Sequence, residues 1–410
     1  MNDAAVQHSV VRPTGACYHA PVWGRPEPEL DLIARCCAAA SAGGDPQIRD
    51  AAGALDWQRF LGLVRRHRVG GLVWTALSKA GVDVPAPVAD ALRADSAAIT
   101  RQNLLYAAET ARLQKRLSQA GISPCFFKGA TLAMRAYGNL AHKHAKDIDF
   151  LIAPHEVAEC VRLLEDDGYR LEPSAADLDA GQWQSLLHYF NEVVLVHAAS
   201  GVQIEPHWRL TTNRGLLLRV PGEEVAQTIA GVPVATLGRD DLFAYLCAHG
   251  GLSGWFRLKW LADIDALIGN ADTDEILRLH RHATACGAGP AATIGLMLCQ
   301  AIFGRAIPSA IADAVQRSRT LRFLHRLAIR NLLGSEDLSR RQLALSRIAN
   351  AHAHGAGRWE VWRVLLGSDP WQTPLPRRLH WLYPALRVPL VSWRWLRGPR
   401  SAAPQRAHDA

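Results

Sequence analysis

The chain has 410 residues, of which 49% are hydrophobic and 20% are charged, and its formal net charge is +8. This length allows two or three domains with a sizeable core, and the composition excludes a disordered or fibrous protein. The positive charge favours anionic partners such as nucleotides, nucleic acid or anionic lipid, without choosing among them. The eight cysteines form no C-x-x-C pair and no secretory signal is visible, so we expect reduced thiols in a cytosol.

The first two segments are an arm and a helical region. Residues 1–28 lack hydrophobic periodicity and contain four prolines, which predicts a flexible arm. Residues 29–120 have apolar side chains at helical spacing, and one long helix or two joined helices are predicted over 91–120, ending at Gly121.

Residues 121–221 alternate between strand and helix patterns. The predicted order is strand 125–127, helix 130–137, strand 148–152, helix 156–167, and a hairpin of strands 191–197 and 202–208. This order predicts a small mixed sheet with helices on one side. The chain is therefore predicted to be α+β, with this core between helical N- and C-terminal regions.

The C-terminal half is predicted to be helical over 222–335. Residues 283–304 carry no charged side chain but contain several glycines, so we expect a buried helix starting near Pro290 rather than a membrane span. Residues 336–410 form a tail rich in arginine, tryptophan and proline. Three roles stay open for it: packing on the helical domain, which we rank first, contact with a membrane surface, and stacking on nucleic acid, which we rank last.

The chemistry is concentrated on a D-x-D pattern in an apolar strand. Side chains alternate along a strand, so Asp147 and Asp149 are expected to share one face. Two carboxylates on one face repel each other, and a bound Mg²⁺, or Mn²⁺ in its place, commonly offsets this repulsion. Glu205 on the returning hairpin strand is the expected third carboxylate, and Glu192 is its rival. We expect His207, a single histidine in apolar surroundings, to be structural.

Basic residues nearby suit a nucleotide. Gly129 would let backbone approach a phosphate, and Lys128 would offset its charge. Lys143 lies in the basic loop before the strand that carries Asp147 and Asp149. Downstream, either Arg257 or Lys259 is expected to close over the nucleotide, because residues two apart do not share a helix face; Lys259 is our choice.

Two further patterns point away from metal chemistry. Asp263 and Asp265 repeat the D-x-D spacing in a helical pattern, where we expect helix caps and surface charge. No H-x-x-x-H or C-x-x-C spacing occurs, so no zinc site is expected.

The ordered motifs resemble a known family. Lys128-Gly129, Tyr137-Gly138, Asp147-Ile148-Asp149 and Glu205 before His207-Trp208 resemble the uncharacterised bacterial nucleotidyltransferase family of the polymerase beta-like superfamily. Asp56-Trp57 and 257–263 match its helical signatures, and the likeness covers about 50–330. The resemblance implies that Asp263 braces the core.

The resemblance implies an Mg²⁺-dependent enzyme that moves a nucleoside monophosphate from an NTP to an acceptor. It hints at surface polysaccharide or modified peptide synthesis, with a small molecule, glycan or peptide as acceptor. We expect a cytoplasmic protein without a nucleic-acid partner; contact of the tail with the inner face of the membrane is the second-ranked role, after packing. The alternative is a non-catalytic binding or membrane-docking module, suggested by the missing serine after Lys128-Gly129 and by the basic tail.

Overall fold

The structure is a computed structural model that describes residues 27–42, 47–53, 55–172, 180–212, 224–334, 336–353 and 375–383, with isolated positions at 385, 386, 389 and 393. The predicted arm over 1–26 and most of the tail beyond 353 lie outside the described residues.

Helices dominate the described chain. They are α1 (Pro28–Ala42), α2 (Ile48–Ala51), α3 (Trp57–His67), α4 (Gly70–Ala80), α5 (Ala86–Gln119), α6 (Gly129–Tyr137), α7 (Val157–Asp166), α8 (Ala180–Tyr189), α9 (Arg239–Leu252), α10 (Leu258–Ile268), α11 (Thr273–Ala285), α12 (Gly289–Phe303), α13 (Ser309–Arg317), α14 (Arg319–Leu333) and α15 (Arg340–Ala353). Short 3-10 turns cover Leu140–His142, Pro154–Glu156 and Arg377–Leu382.

Seven strands form one mixed sheet. They are β1 (Cys125–Phe126), β2 (Ile148–Leu151), β3 (Tyr169–Glu172), β4 (Val194–His197), β5 (Gln203–His207), β6 (Glu224–Ile229) and β7 (Val232–Leu237). Their order is β3-β4-β5-β2-β1-β7-β6, so β2 is the central strand. The pairs β2/β5 and β1/β7 are parallel, and the other neighbours are antiparallel. The α+β class and the mixed sheet were predicted correctly.

Helices cover both faces of the sheet, so the prediction of helices on one side is wrong. Phe126 and Phe150 pack into an apolar core with side chains of α5 and α7. Phe127, one position further along, belongs to the second core and meets Tyr245 of α9 edge to face, with ring centroids 5.1 Å apart. Alternate residues of a strand point to opposite faces, so each face of the sheet has its own core.

The β6–β7 hairpin lies where the sequence predicted helices from residue 222 onward. The two strands pair from Glu224↔Leu237 to Ile229↔Val232 and extend the sheet beyond β1. Ala230 and Gly231 connect them with φ of +46° and +76°, values that suit a two-residue hairpin turn. The helical C-terminal region therefore begins at α9.

The remaining predicted helices are present. The long helix expected over 91–120 is α5, which spans 34 residues, and the buried helix expected near Pro290 is α12. Among the described residues, none of the helices combines the length and apolar character needed to cross a bilayer.

Part of the predicted tail packs on the protein. In α15, Ser346 and Asn350 are buried, and Asn331 of α14 donates a hydrogen bond to the Ser346 hydroxyl at 3.2 Å. Tyr383 is fully buried, and its ring lies 6.2 Å from that of Tyr189. These contacts agree with packing for those residues. Trp359, Trp362, Trp371 and Trp395 lie outside the described residues.

Candidate active site

The register of two central strands brings acidic side chains together. Asp149 of β2 pairs with Glu205 of the parallel strand β5, so the two side chains leave the sheet on the same face. Asp147 lies immediately before β2 and belongs to that same face. Asp149 is buried, whereas Asp147 and Glu205 keep some exposure. The convergence expected from the D-x-D pattern and the hairpin is therefore present.

His207 joins this group, although the sequence led us to expect a structural histidine. Its Nε2 lies 3.2 Å from Asp149 Oδ1 and 3.9 Å from Glu205 Oε2. Its Nδ1 lies 3.1 Å from Glu192 Oε2. Ligand atoms of Asp149, Glu205 and His207 all lie within 4.8 Å of one another. Glu192 thus contacts the side of the imidazole that faces away from Asp149, while Glu205 faces Asp149 directly. The sequence feature that could have identified His207 was its position two residues after Glu205, on the same face of the strand.

The crowding of carboxylates changes their protonation. Burial and the charge of Asp149 raise the pKa of Asp147 to about 6. Burial, Asp147 and Glu192 raise the pKa of Glu205 well above its ordinary value. Burial also acts to raise the pKa of Asp149, but Lys128 and His207 outweigh it and lower that pKa. Asp149 is therefore held ionised between Asp147 and Glu205, whose carboxyl groups resist ionisation.

Lys128 and Gly129 lie at the junction of β1 and α6, next to these carboxylates. The Lys128 ammonium is 2.7 Å from Asp149 Oδ1, and it lies 5.7 Å from the ring centroids of both Phe127 and Tyr245. Gly129 has φ +57°, and a Cβ there would meet the Asp147 carbonyl oxygen at 3.4 Å. The contact distance would tolerate a Cβ, so it is the positive φ at the start of α6 that favours glycine there.

The acidic group fits a divalent cation. Asp149 Oδ2 is buried and, among the described residues, receives no hydrogen bond. The neighbouring Asp147 carboxyl donates to Asp149 only when it is protonated. Leaving a buried acceptor unsatisfied costs about 1–3 kcal/mol. Carboxylate oxygens with one imidazole nitrogen form a donor set that a divalent cation accepts, and such an ion would satisfy this oxygen.

A basic cluster lies beside the carboxylates and consists of Arg68, Lys143, His144 and Lys259. Burial, together with Lys143 and Arg68, lowers the pKa of Lys259 well below its ordinary value. Burial, Lys259, Arg68 and Lys143 lower the pKa of His144 to about 4. Mutual repulsion of this kind is relieved when an anion binds among the cations.

Arg68 was not predicted as a site residue. It ends α3 with φ +56°, an uncommon conformation for a residue with a side chain. Arg257, the rival of Lys259, is directed elsewhere, since its Nη2 lies 2.6 Å from Asp337 Oδ2. Contact of Lys259 with the nucleotide stays a prediction.

Comparison with protein families matches residues 53–304 to the family described as uncharacterised nucleotidyltransferase. The matched stretch contains both the acidic group and the basic cluster. The chain belongs to this family. The nucleotidyltransferase is therefore an enzyme that transfers nucleotidyl groups, which implies an NTP as its substrate. A comparison with curated proteins found no match.

Helix α5 of the nucleotidyltransferase holds the loop between α6 and β2. Asn103 donates a hydrogen bond to the Leu140 carbonyl at 2.6 Å and another to the Lys143 carbonyl. Tyr106 donates its hydroxyl hydrogen to the Lys146 carbonyl at 2.6 Å. The loop that carries Lys143, His144 and Asp147 is thus fixed at three backbone oxygens, so its charges are positioned before a ligand arrives.

The second D-x-D of the nucleotidyltransferase is buried, so the prediction of helix caps and surface charge is wrong. Asp263 accepts from Lys143 Nζ at 2.5 Å and from the Tyr137 hydroxyl at 2.9 Å. Asp265 accepts from Arg305 Nε at 2.5 Å. The two carboxylates face different partners, as residues two apart on a helix must. Asp263 braces the loop of the basic cluster, and Asp265 ties α10 to the segment after α12.

Proposed function

We propose that this protein is a Mg²⁺-dependent nucleotidyltransferase that moves a nucleoside monophosphate from an NTP to an acceptor hydroxyl or phosphate. The observation that carries this proposal is the juxtaposition of Asp149 and Glu205 on neighbouring parallel strands, with Asp147 beside them and a buried carboxylate oxygen that lacks a donor among the described residues. Membership of the nucleotidyltransferase family supports the same reaction class.

Asp147, Asp149 and Glu205 would hold the cation, with His207 adjoining them. When bound, Mg²⁺ or Mn²⁺ supplies Lewis-acid stabilisation of phosphoryl oxygens and of the leaving pyrophosphate. Glu205 completes the site towards the acceptor. His207, oriented by Glu192 at its Nδ1, keeps the Asp149 carboxylate in place.

Lys128, Gly129, Lys143 and Lys259 would position the triphosphate. Lys128 exchanges its carboxylate partner for a phosphate oxygen, and Gly129 gives phosphate access to the first turn of α6. Burial, Lys143 and Arg68 lower the pKa of Lys259, and a neighbouring anion would favour its charged form. Arg68 adds a planar guanidinium to the same surface. Positioning and charge neutralisation supply most of what phosphoryl-type transfer requires.

The acceptor is proposed from the sequence resemblance alone. A small molecule, glycan or peptide in bacterial surface polysaccharide or modified peptide synthesis would suit the polymerase beta-like assignment. We propose a cytoplasmic location, with contact between the basic tail and the inner face of the membrane as the alternative to packing of the tail on the helical domain.

The test is incubation of purified protein with each labelled NTP, Mg²⁺ and a cell lysate, followed by identification of the labelled species. We expect label transfer by the wild type and by Asp83→Asn, which changes an exposed carboxylate in the loop before α5. Asp149→Asn should transfer none. Transfer that survives Asp149→Asn would refute the site.

NTP binding distinguishes the enzyme from a non-catalytic module. Mg²⁺-dependent binding of NTP should be lost in Asp147→Ala, because the neutral methyl group cannot ligate the cation. Binding that needs neither Mg²⁺ nor Asp147 would favour the module.

A further inference from the structure

A second group of metal-ligand side chains lies at the contact between α9 and α11. Asp241 belongs to the first turn of α9, His282 to the last turn of α11, and Cys286 directly follows that helix. His282 Nε2 lies 2.7 Å from Asp241 Oδ1 and 3.5 Å from Cys286 Sγ. The ligand atoms of all three residues lie within 4.8 Å of one another.

The spacing of the group suits a tetrahedral cation. His282 and Cys286 are four residues apart, so they share one face of α11, and Asp241 faces them from the neighbouring helix. Zinc bonds of about 2.0 Å to nitrogen and 2.3 Å to sulfur separate those two ligands by about 3.5 Å at the tetrahedral angle. The observed Nε2–Sγ distance of 3.5 Å agrees with that value. The Nε2–Oδ1 distance needs to open by about 0.7 Å from its hydrogen-bonded length of 2.7 Å.

Two groups converge on one imidazole nitrogen. Nε2 carries at most one hydrogen, so it donates one good hydrogen bond, to either the carboxylate or the sulfur. A cation that takes the Nε2 lone pair contacts all three atoms at once. Nδ1 is then the protonated nitrogen, and the partly exposed ring lets water accept that hydrogen.

Access distinguishes Cys286 from the other thiols. Among the cysteines that the structure describes, Cys286 is partly exposed and the remaining six are buried. The His282 and Asp241 side chains keep 34% and 15% of their accessible surface. An ion can therefore reach the group from solvent, and water can complete the coordination.

We propose that Asp241, His282 and Cys286 bind a divalent cation of the Zn²⁺ class, with water as the fourth ligand. A thiolate and an imidazole select Zn²⁺ or Co²⁺ over Mg²⁺, so this site and the acidic site take different metals from one solution. The bound ion joins α9 to α11. Since α9 also carries Tyr245, whose ring contacts Phe127, the ion stiffens the helix that packs behind Lys128. The H-x-x-x-C spacing of His282 and Cys286 falls outside the two zinc patterns considered in the sequence.

Cobalt titration of the full-length, chelator-treated protein tests this site. Thiolate-to-cobalt charge transfer reports only a sulfur ligand, so cobalt in the acidic site does not produce it. We expect one equivalent of Co²⁺ to produce this absorption together with tetrahedral visible bands, and Zn²⁺ to abolish both. Cys286→Ser should lose the charge-transfer absorption.

His282→Gln provides a second variant, since its amide still donates to Asp241 but ligates poorly. It should weaken the cobalt affinity by more than about 100-fold, because loss of even an outer-shell partner costs about 10- to 100-fold. Cys17→Ser and Asp149→Asn are the controls and should keep the absorption. A wild type without charge transfer, or absorption that survives Cys286→Ser, would overturn the proposal.

Discussion

Asp147→Asn should make the metal-free protein more stable at pH 8 while abolishing transfer. In the native state this carboxyl is crowded by Asp149 and half-buried, which raises its pKa from 3.8 to about 6. The amide keeps the shape of the side chain but removes the repelling charge. Stability and activity should therefore change in opposite directions.

The size of the gain follows from the pKa. One pKa unit corresponds to about 1.4 kcal/mol, so a rise from 3.8 to about 6 destabilises the native state by about 3 kcal/mol at high pH. Solvent screening of the partly exposed carboxyl reduces this to about 2 kcal/mol. Well below pH 3.8 the carboxyl is protonated in both folded and unfolded chains, so the penalty is absent there and still small at pH 4. It develops as the pH rises and is complete above about pH 6.

Urea unfolding of wild type and variant in the presence of a chelator, at pH 4 and pH 8, measures this difference. We expect a higher unfolding free energy for Asp147→Asn at pH 8 and near equality at pH 4, with the exposed Asp83→Asn unchanged at both. Added Mg²⁺ should stabilise the wild type and not Asp147→Asn. A variant that is less stable at pH 8, or a gain that is the same at both pH values, would refute the electrostatic reasoning.

Further expectations concern the third carboxylate, the second D-x-D and the tail. Glu205→Gln should lower the transfer rate on the order of 100-fold and Glu192→Gln much less, because Glu192 contacts the imidazole nitrogen that faces away from Asp149; the reverse ranking would exchange their roles. Asp265→Asn should cost about 3 kcal/mol in urea unfolding by leaving the Arg305 guanidinium buried without its carboxylate, and a silent variant would contradict the importance of that pair. Removal of 354–410 should lower the unfolding free energy in urea, because it deletes Tyr383, which is fully buried beside Tyr189; a truncated protein that keeps its stability but no longer sediments with anionic vesicles in low salt would favour membrane contact instead.

Local patterns in the sequence predicted much of the sheet. The strands β1, β2, β4 and β5 follow from apolar and alternating runs, and the helices α6 and α7 from helical spacing, whereas β3 and α8 were not predicted. The β6–β7 hairpin was missed because its strands mix polar and apolar residues and lie next to long helical stretches. The usable signal was Gly231 between two runs rich in β-branched residues, a pattern typical of a two-residue hairpin turn.

The candidate site was predictable where it depends on strand alternation and not where it depends on tertiary contacts. The shared face of Asp147 and Asp149 follows from the period of a strand. The ion pair of Asp265 with a residue 40 positions away does not, because helical spacing cannot identify a distant partner. Arg68 was missed for the same reason, since it reaches the basic cluster from the end of a helix far from the core in sequence.

The central position of β2 protects the geometry of the acidic side chains from changes at the edges of the sheet. As the fourth of seven strands, β2 is flanked by three strands on each side. Its amide hydrogens should exchange with solvent only when the whole sheet opens, whereas those of β3 and β6 at the edges exchange through local fraying. Insertions and substitutions at the edges would leave the spacing of Asp149 and Glu205 intact. The edge strands of the sheet can therefore change without moving the carboxylates at its centre.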